Sequence, residues 1–427
     1  MSARAQTGPE ILTFGCRLNL VESEIIRRLA HAAALDDAVI VHTCAVTASA
    51  EREARQAVRR ARRRRPGARI VVTGCAAQIA PERFEAMPEV SNVLGNAEKL
   101  DFGAWLGLAD NPNAPRRAVA DVARARHTAW HLVDGFDAQT RAFVQVQQGC
   151  DHRCTFCIIP LARGPSRSVP LGALVQQLRT LVAKGFREVV LTGVDLTSYG
   201  EDLPGRPTLG AAIRRLLAAV PDLPRLRLSS LDPAELDDDF WRAFADEERL
   251  MPHLHLSVQS GDDLILKRMK RRHTADQVRA VIARARALRP ETAFGADIIA
   301  GFPTETDAQA GNSLRLVEAA GIVYLHVFPF SSRTGTPASR MPQVASGTIR
   351  ARAAALRAAG QSQRRAHLQR QIGRRVEALI ERDGRRGHTR DFAPIVLDHD
   401  AVPGALVRAD VIGAERETLL GRAIDPD

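Results

Sequence analysis

Six cysteines constrain this chain more than any other feature: Cys16, Cys44, Cys75, Cys150, Cys154 and Cys157. They form two groups of three. The first is spaced 28 and 31 residues apart, and the second is packed into a C-x3-C-x2-C run. Met1–Glu10 shows no apolar stretch of the kind that opens a secretory signal. The expected compartment is therefore a reducing cytoplasm, where thiols serve metal binding or catalysis rather than disulfides.

The wide spacing of the first trio is explained by a repeating unit. Ile11–Phe14, Ala38–Val41 and Ile70–Val72 read as short strands, with helical patterns over Glu22–Ala34 and Ala48–Arg65. Each cysteine then falls just past the end of a strand. Strands alternating with helices build a parallel sheet, whose strand ends share one edge where ligands bind. Three thiols distant in sequence are so expected to meet in space. Three unrelated core cysteines are the plainer alternative.

At 427 residues the chain is long enough for two or three domains. Residues 105–140, with Asn111-Pro112-Asn113 and Pro115, read as a linker or edge segment. A second βα series follows, with strands at Ala142–Gln147, Glu188–Thr192, Leu226–Ser229, His253–Val258, Ala293–Ile299 and Tyr324–Phe328. Helical patterns such as Leu174–Lys184 and Ala275–Leu288 lie between them. Six such units predict a partial (β/α) barrel with its chemistry at the C-terminal strand ends. Ile349–Gln371 reads as a long basic helix. Beyond it, alternating runs at Val376–Ile380, Phe392–Leu397, Ala405–Val411 and Thr418–Leu420 predict a small β-barrel. The fold expected is α/β in three domains: 10–125 with the first cysteine trio, 136–370 as the partial barrel, and 371–427 as the small β-barrel.

The net charge of +11 is carried almost wholly by arginine, since the only lysines are Lys99, Lys184, Lys267 and Lys270. Such basicity suits a polyanion, most often nucleic acid. Arg59, Arg60 and Arg62–Arg65 form the densest run, at a helix end where the macrodipole also favours cations. Arg364, Arg365, Arg370, Arg374 and Arg375 form a second track. The tail holds one aromatic, Phe392, so charge rather than base stacking would dominate RNA binding there. No apolar run approaches membrane-spanning length, so no membrane partner is expected. His131, His152 and His273 carry no signal of their own.

Three close thiolates in Cys150-x3-Cys154-x2-Cys157 suit a [4Fe–4S] cluster, whose usual ligand set is four cysteines. No cysteine is left for the fourth position, so one iron is open to another ligand. Zinc held by the three cysteines and His152 is the alternative, although zinc sites more often pair C-x2-C knuckles.

This spacing resembles the signature of the radical S-adenosylmethionine superfamily. Phe14-Gly15-Cys16-Arg17-Leu18-Asn19, His42-Thr43-Cys44 and Thr73-Gly74-Cys75-Ala76-Ala77-Gln78 resemble the three N-terminal motifs of its methylthiotransferases. Four further stretches are similar to the branch acting on N6-threonylcarbamoyladenosine (t6A) of tRNA: Cys157–Ser168, Leu191–Gly200, His255–Gly261 and Phe330–Pro337. His42, where an Asn is common, and Val169, where an Arg is common, depart from the pattern and leave the cluster ligands untouched. The tail resembles the RNA-binding module called TRAM.

The resemblance implies two [4Fe–4S] clusters, one per cysteine trio, and S-adenosylmethionine bound at the open iron of the second. A 5′-deoxyadenosyl radical made there would take hydrogen from C2 of the adenine at position 37, beside the anticodon. The first cluster would carry the sulfur that becomes the methylthio group. No side chain is then needed as catalytic acid or base. The implied partners are the tRNA anticodon arm, a sulfur donor and an electron donor such as flavodoxin or ferredoxin. Neighbouring branches act on isopentenyladenosine in tRNA or on an aspartate of a ribosomal protein, and Asn19–Glu24 also fits the latter. A non-catalytic, metal-containing RNA-binding protein is the rival from another class.

Three residues are candidate contacts to S-adenosylmethionine. Asp195 follows the second barrel strand, where a helix cap is the alternative. Gln259 ends the fourth strand, where a turn is the alternative. Arg333 follows the last strand with Thr336, where a loop-stabilising salt bridge is the alternative. Ser229, Asp232 and Asp297 stand at or within strands, with a helix cap expected at Asp232 and a structural polar pair possible at Asp297.

Overall fold

A computed structural model describes residues 8–111, 114–125, 135 and 139–424. The chain divides into two compact units. The first is discontinuous and comprises Met1–Val133, Gln147–Arg167 and Ser331–Thr336. The second comprises Asp134–Val146, Ser168–Phe330 and Pro337–Asp427.

In the first unit, β1 (Glu10–Thr13), β2 (Val39–Thr43), β3 (Ile70–Gly74), β4 (Asn92–Leu94) and β5 (Arg117–Ala118) form one parallel sheet in that order. Its helices are α1 (Arg17–Ala32), α2 (Ala48–Arg64), α3 (Cys75–Ile79), α4 (Pro81–Glu85), α5 (Phe102–Asp110) and α6 (Ile159–Arg163). The strands are apolar on both faces because both are covered. Val39 and Val41 of β2 pack with Ala54 and Val58 of α2, whereas Ile40 packs with Ile26 of α1 and Trp105 of α5. The region read as a linker or edge segment holds most of α5 and the edge strand β5. Helix α1 begins at Arg17, five residues before the position its apolar spacing suggested, with Cys16 as N-cap.

In the second unit, β6 (Ala142–Gln145), β7 (Glu188–Thr192) and β8 (Arg225–Leu228) form one parallel sheet. β9 (Ser230–Leu231), β10 (His253–Gln259), β11 (Ala293–Ala300) and β12 (Tyr324–Pro329) form another. The intervening helices are α7 (Leu171–Ala183), α8 (Leu209–Ala219), α9 (Asp238–Asp246), α10 (Asp263–Arg268), α11 (Ala275–Leu288), α12 (Asp307–Ala320) and α13 (Ser346–Gln369). The expected six-strand partial barrel is present, its third strand passing from one sheet to the other at Ser229.

The tail closes into the expected small barrel: β13 (Arg375–Ile380), β14 (Arg386–Thr389), β15 (Pro394–Leu397), β16 (Leu406–Glu415) and β17 (Thr418–Ala423). Strand β14, Arg-Gly-His-Thr, has no apolar alternation, so pattern reading passes over it. The tail is anchored within its unit by buried charge. Arg225 and Arg227 of β8 pair with Glu188 of β7, and Arg225 also reaches Glu377 at 2.8 Å. These side chains start their strands, so the tail lies against the N-terminal ends of the barrel, opposite the end where chemistry is expected. Phe392 takes a left-handed conformation (φ 71°) and sits 4.8 Å from the Arg227 guanidinium. Its ring also stacks on His388. The tail's one aromatic is thus committed to packing.

Candidate metal centre

The cysteines of the first trio stand just past the ends of β1, β2 and β3, as the repeat predicts. Cys16 caps α1, Cys44 follows β2, and Cys75 opens α3. Cys44 and Cys75 are buried, and Cys16 is exposed. Gly15 shows how tightly the loops meet. It takes a φ of 106°, and a Cβ there would lie 3.0 Å from the Cys44 sulfur. Burial pushes the Cys44 thiol up to about 11, and the nearby Cys75 and Cys16 thiols push the same way. Such mutual repulsion is what a shared cation relieves.

Two N–H donors are aimed at these sulfurs. The Val46 N–H points at the Cys44 sulfur at 3.5 Å, and the Asn96 amide reaches the Cys75 sulfur at 3.9 Å. Behind them is a fully buried ion network. Arg163 binds both carboxylate oxygens of Glu22, at 2.8 and 2.9 Å. Lys99 donates to Glu22 at 2.8 Å and to Asn96 at 2.6 Å. Burial alone would raise the Glu22 carboxyl, but Arg163 and Lys99 hold it well below its ordinary value. Burial lowers His42 to about 4, so it is neutral beside Lys99. One carboxylate against two cations leaves excess positive charge under the trio. Arg163 senses both Cys75 and Cys16.

The second trio belongs to the same compact unit. Its loop is folded back on itself: Cys150 N–H donates to the Gly164 carbonyl at 3.1 Å, and Cys157 N–H to the Cys154 carbonyl at 3.1 Å. Gly149 is left-handed (φ 78°), and a Cβ there would run into the Pro165 carbonyl. All three residues are partly exposed. Ile158 and Ala162, just beyond this loop, share a core cluster with Cys75, Ala76 and Ala77. Asn96 fastens the join by donating to the Ala162 carbonyl at 2.6 Å. Two sets of three thiols, one with amide donors aimed at sulfur and a buried cation excess beneath it, fit anionic iron–sulfur groups.

The other sequence candidates fall as follows. Asp195 is buried and accepts from Ser198 Oγ at 2.8 Å and Thr197 Oγ1 at 3.3 Å, at the start of a 3-10 turn. Gln259 ends β10 with a φ of 69°, which marks a constrained position for a residue with a side chain. Arg333 pairs with Glu51 at 3.0 Å, the salt bridge weighed from sequence. Asp232 is not the expected helix cap: it accepts from Ala234 N–H in a turn, the next helix starts at Asp238, and it pairs with Arg271 and Arg272. Asp297 accepts from His255 at 2.9 Å and His326 at 3.2 Å. In the basic run, Arg62 donates to the Pro66, Ala68 and Glu89 carbonyls, and Arg64 and Arg65 pair with Glu10. Arg59, Arg60 and Arg63 are exposed. His131 lies outside the described residues.

Comparison with known proteins decides the family. Residues 144–317 match the Radical SAM superfamily model, and residues 10–95 match the model described as uncharacterized protein family UPF0004. A threonylcarbamoyladenosine tRNA methylthiotransferase of Rickettsia prowazekii is 52% identical over 95% of both chains. The chain belongs to the radical S-adenosylmethionine methylthiotransferase family.

Further relatives share less of the sequence. A threonylcarbamoyladenosine tRNA methylthiotransferase of Thermotoga maritima is 38% identical, covering 78% of this chain and 76% of its own. A tRNA-2-methylthio-N(6)-dimethylallyladenosine synthase of Novosphingobium aromaticivorans is 34% identical over 99% of both chains. Among solved structures, the radical S-adenosylmethionine methyltransferase TsrM of Kitasatospora setae, with cobalamin and a [4Fe–4S] cluster bound, superposes with a TM-score of 0.53. It is 16% identical and covers 75% of this chain and 70% of its own, a likeness of fold.

Reading by motif passed over the methylthiotransferase's buried network. Glu22 and Lys99 have no motif signature of their own, and Arg163 stands within a longer motif stretch. One signal was available: Glu22 stands on the apolar face of α1 with Leu18, Val21, Ile25 and Ile26. A carboxylate in that stripe needs a buried partner.

Proposed function

We propose that the chain adds a methylthio group to C2 of N6-threonylcarbamoyladenosine at position 37 of tRNA, using two [4Fe–4S] clusters and S-adenosylmethionine. The observation that carries this reading is the placement of both cysteine trios in one compact unit, joined through α3 and α6. The 52% identity to a t6A enzyme, against 34% to an isopentenyl-type one, supports the t6A branch.

Cys16, Cys44 and Cys75 would hold one cluster, and Cys150, Cys154 and Cys157 the other. When bound, these groups supply a 5′-deoxyadenosyl radical and a sulfur-carrying site. The chain's own residues provide position. The left-handed Gly15 and Gly149 let the loops close, Val46 and Asn96 direct N–H groups at sulfur, and Arg163 and Lys99 offset the charge of the thiolates. Asp195, Gln259 and Arg333 are assigned to S-adenosylmethionine. Segment 10–125 carries sulfur, 136–370 makes the radical, and 371–427 helps hold RNA. The required electron is assigned to a flavodoxin- or ferredoxin-type donor, and the setting to the cytoplasm. Among the described residues, no helix is long and apolar enough to cross a membrane.

The test is nucleoside analysis of bulk tRNA from a strain lacking the gene. Accumulated t6A without its methylthio form is expected, restored by the intact gene. Loss of only the isopentenyl product, or of the ribosomal aspartate product, moves the chain to another branch. A colourless, zinc-containing protein that does not cleave S-adenosylmethionine after reduction returns it to the non-catalytic class.

A further inference from the structure

The first unit contains a cavity of about 300 Å³ whose lining is strongly cationic. Glu51, Arg52, Arg55, Arg83 and Arg333 all face it. Glu51 is already neutralised twice: Arg83 binds one carboxylate oxygen and Arg333 the other, each at 3.0 Å. Burial alone would raise its carboxyl, but Arg333 and Arg83 hold it below the ordinary value. Four guanidinium groups against one carboxylate leave three positive charges. Arg52 and Arg55 make no hydrogen bond or ion pair among the described residues. Arg52 is exposed and Arg55 half-buried. Guanidinium groups gathered around a cavity without a matching anion call for an oxyanion ligand.

The position of the cavity narrows the choice. Part of its wall is Ala76, Ile79 and Ile158. Ala76 follows Cys75 and Ile158 follows Cys157, so the lining includes the chain neighbour of one cysteine from each trio. On the t6A reading, the reacting base brings its N6 substituent into the site with it. In t6A the N6 substituent ends in a carboxylate. The isopentenyl substituent of the neighbouring branch carries no charge.

We propose that Arg55, with Arg52, binds the threonyl carboxylate of t6A and so sets the substrate preference of this enzyme. The proposal rests on the t6A reading above and adds the residues that recognise it. Arg83 and Arg333 stay paired with Glu51. Arg55 and Arg52 are free to close on the carboxylate.

The test compares three anticodon stem-loops bound to the reconstituted holoenzyme: one with t6A, one with its neutral carboxamide analogue, and one with unmodified adenosine. The intact protein is expected to bind the t6A RNA about tenfold to a hundredfold tighter than the carboxamide RNA, the range for a charge-assisted hydrogen bond. Arg55→Gln and the Arg52→Gln/Arg55→Gln pair are expected to erase that difference with an unchanged melting midpoint. Arg55→Lys, which keeps charge but not the fork, is expected to keep part of it. Variants that retain the full preference overturn the proposal. Variants that weaken all three RNAs equally also overturn it, and assign the cavity to a backbone phosphate. Equal binding of t6A and unmodified RNA by the intact protein overturns the t6A reading itself.

Discussion

Arg163 and Glu22 form a fully buried, two-pronged ion pair between α6, the short helix that follows Cys157, and α1, the helix that follows Cys16. The two residues are separated by 141 positions in sequence. Their pairing locks a segment of the second trio onto the element that carries the first. Glu22→Gln leaves Arg163 and Lys99 buried without an anion, so a destabilisation of about 3–5 kcal/mol is expected. Arg163→Met leaves Glu22 with Lys99 and is expected to cost less. Denaturant melts of the apo chain measure both. Equal stability of Glu22→Gln and the intact protein would show that the pair does not hold the unit together.

The two trios are expected to be separable by iron content. With two four-iron groups the reconstituted chain should hold about eight irons. Cys44→Ala is expected to lower this to about four while S-adenosylmethionine cleavage persists and the methylthio product disappears. Cys154→Ala is expected to lower it to a similar level with cleavage abolished. Iron assay with product analysis checks both. Cys44→Ala that keeps all its iron and its product would remove the first trio from the chemistry.

The buried carboxylate of Glu188 gives the second unit a defined acid sensitivity. Burial alone would raise it, but Arg227, Arg141 and Arg225 hold it at about 2. An unfolded glutamate titrates near 4.3, so below that pH the unfolded chain takes up the proton first. The stabilisation is therefore complete above about pH 4.5 and fades as pH falls toward about 2. Glu188→Gln is expected to remove this dependence and to cost about 3–5 kcal/mol at neutral pH, because Arg225 and Arg227 lose their anion. Denaturation midpoints of both proteins across that acid range check the sign.

How far the sequence foretold these features follows from the kind of interaction. The strands of both units were legible because parallel strands covered on both faces read as unbroken apolar runs, Val39–Val41 and Ile70–Val72 among them. The convergence of Cys16, Cys44 and Cys75 was legible because the βα repeat puts strand ends on one edge. The network behind them was not, since Glu22, Lys99 and Arg163 are lone charges whose pairing depends on tertiary packing. Even so, Lys99 is one of four lysines in an arginine-rich chain, and Glu22 interrupts an apolar stripe. The basic run at the end of α2 was legible as a run, but its division was hidden. Arg62 caps neighbouring carbonyls and Arg64 and Arg65 pair with Glu10, work that only the folded loops define.

That division yields a sharper expectation for RNA binding. Arg59, Arg60 and Arg63 are exposed, so they are the members of the run available to phosphates. Each phosphate neutralised releases counterion and adds about 0.7–0.9 to the slope of log affinity against log salt. Replacing all three by glutamine is expected to lower that slope by about 2 to 3 if each meets a phosphate. It should weaken t6A and unmodified stem-loops alike, in contrast to Arg55→Gln. Arg62→Gln is instead expected to lower the melting temperature, because it strips contacts to two carbonyls after α2 and to the Glu89 carbonyl before β4. Binding titrations over a range of salt check the first expectation and thermal melts the second. An unchanged salt slope in the triple variant would show that this face of α2 does not meet RNA.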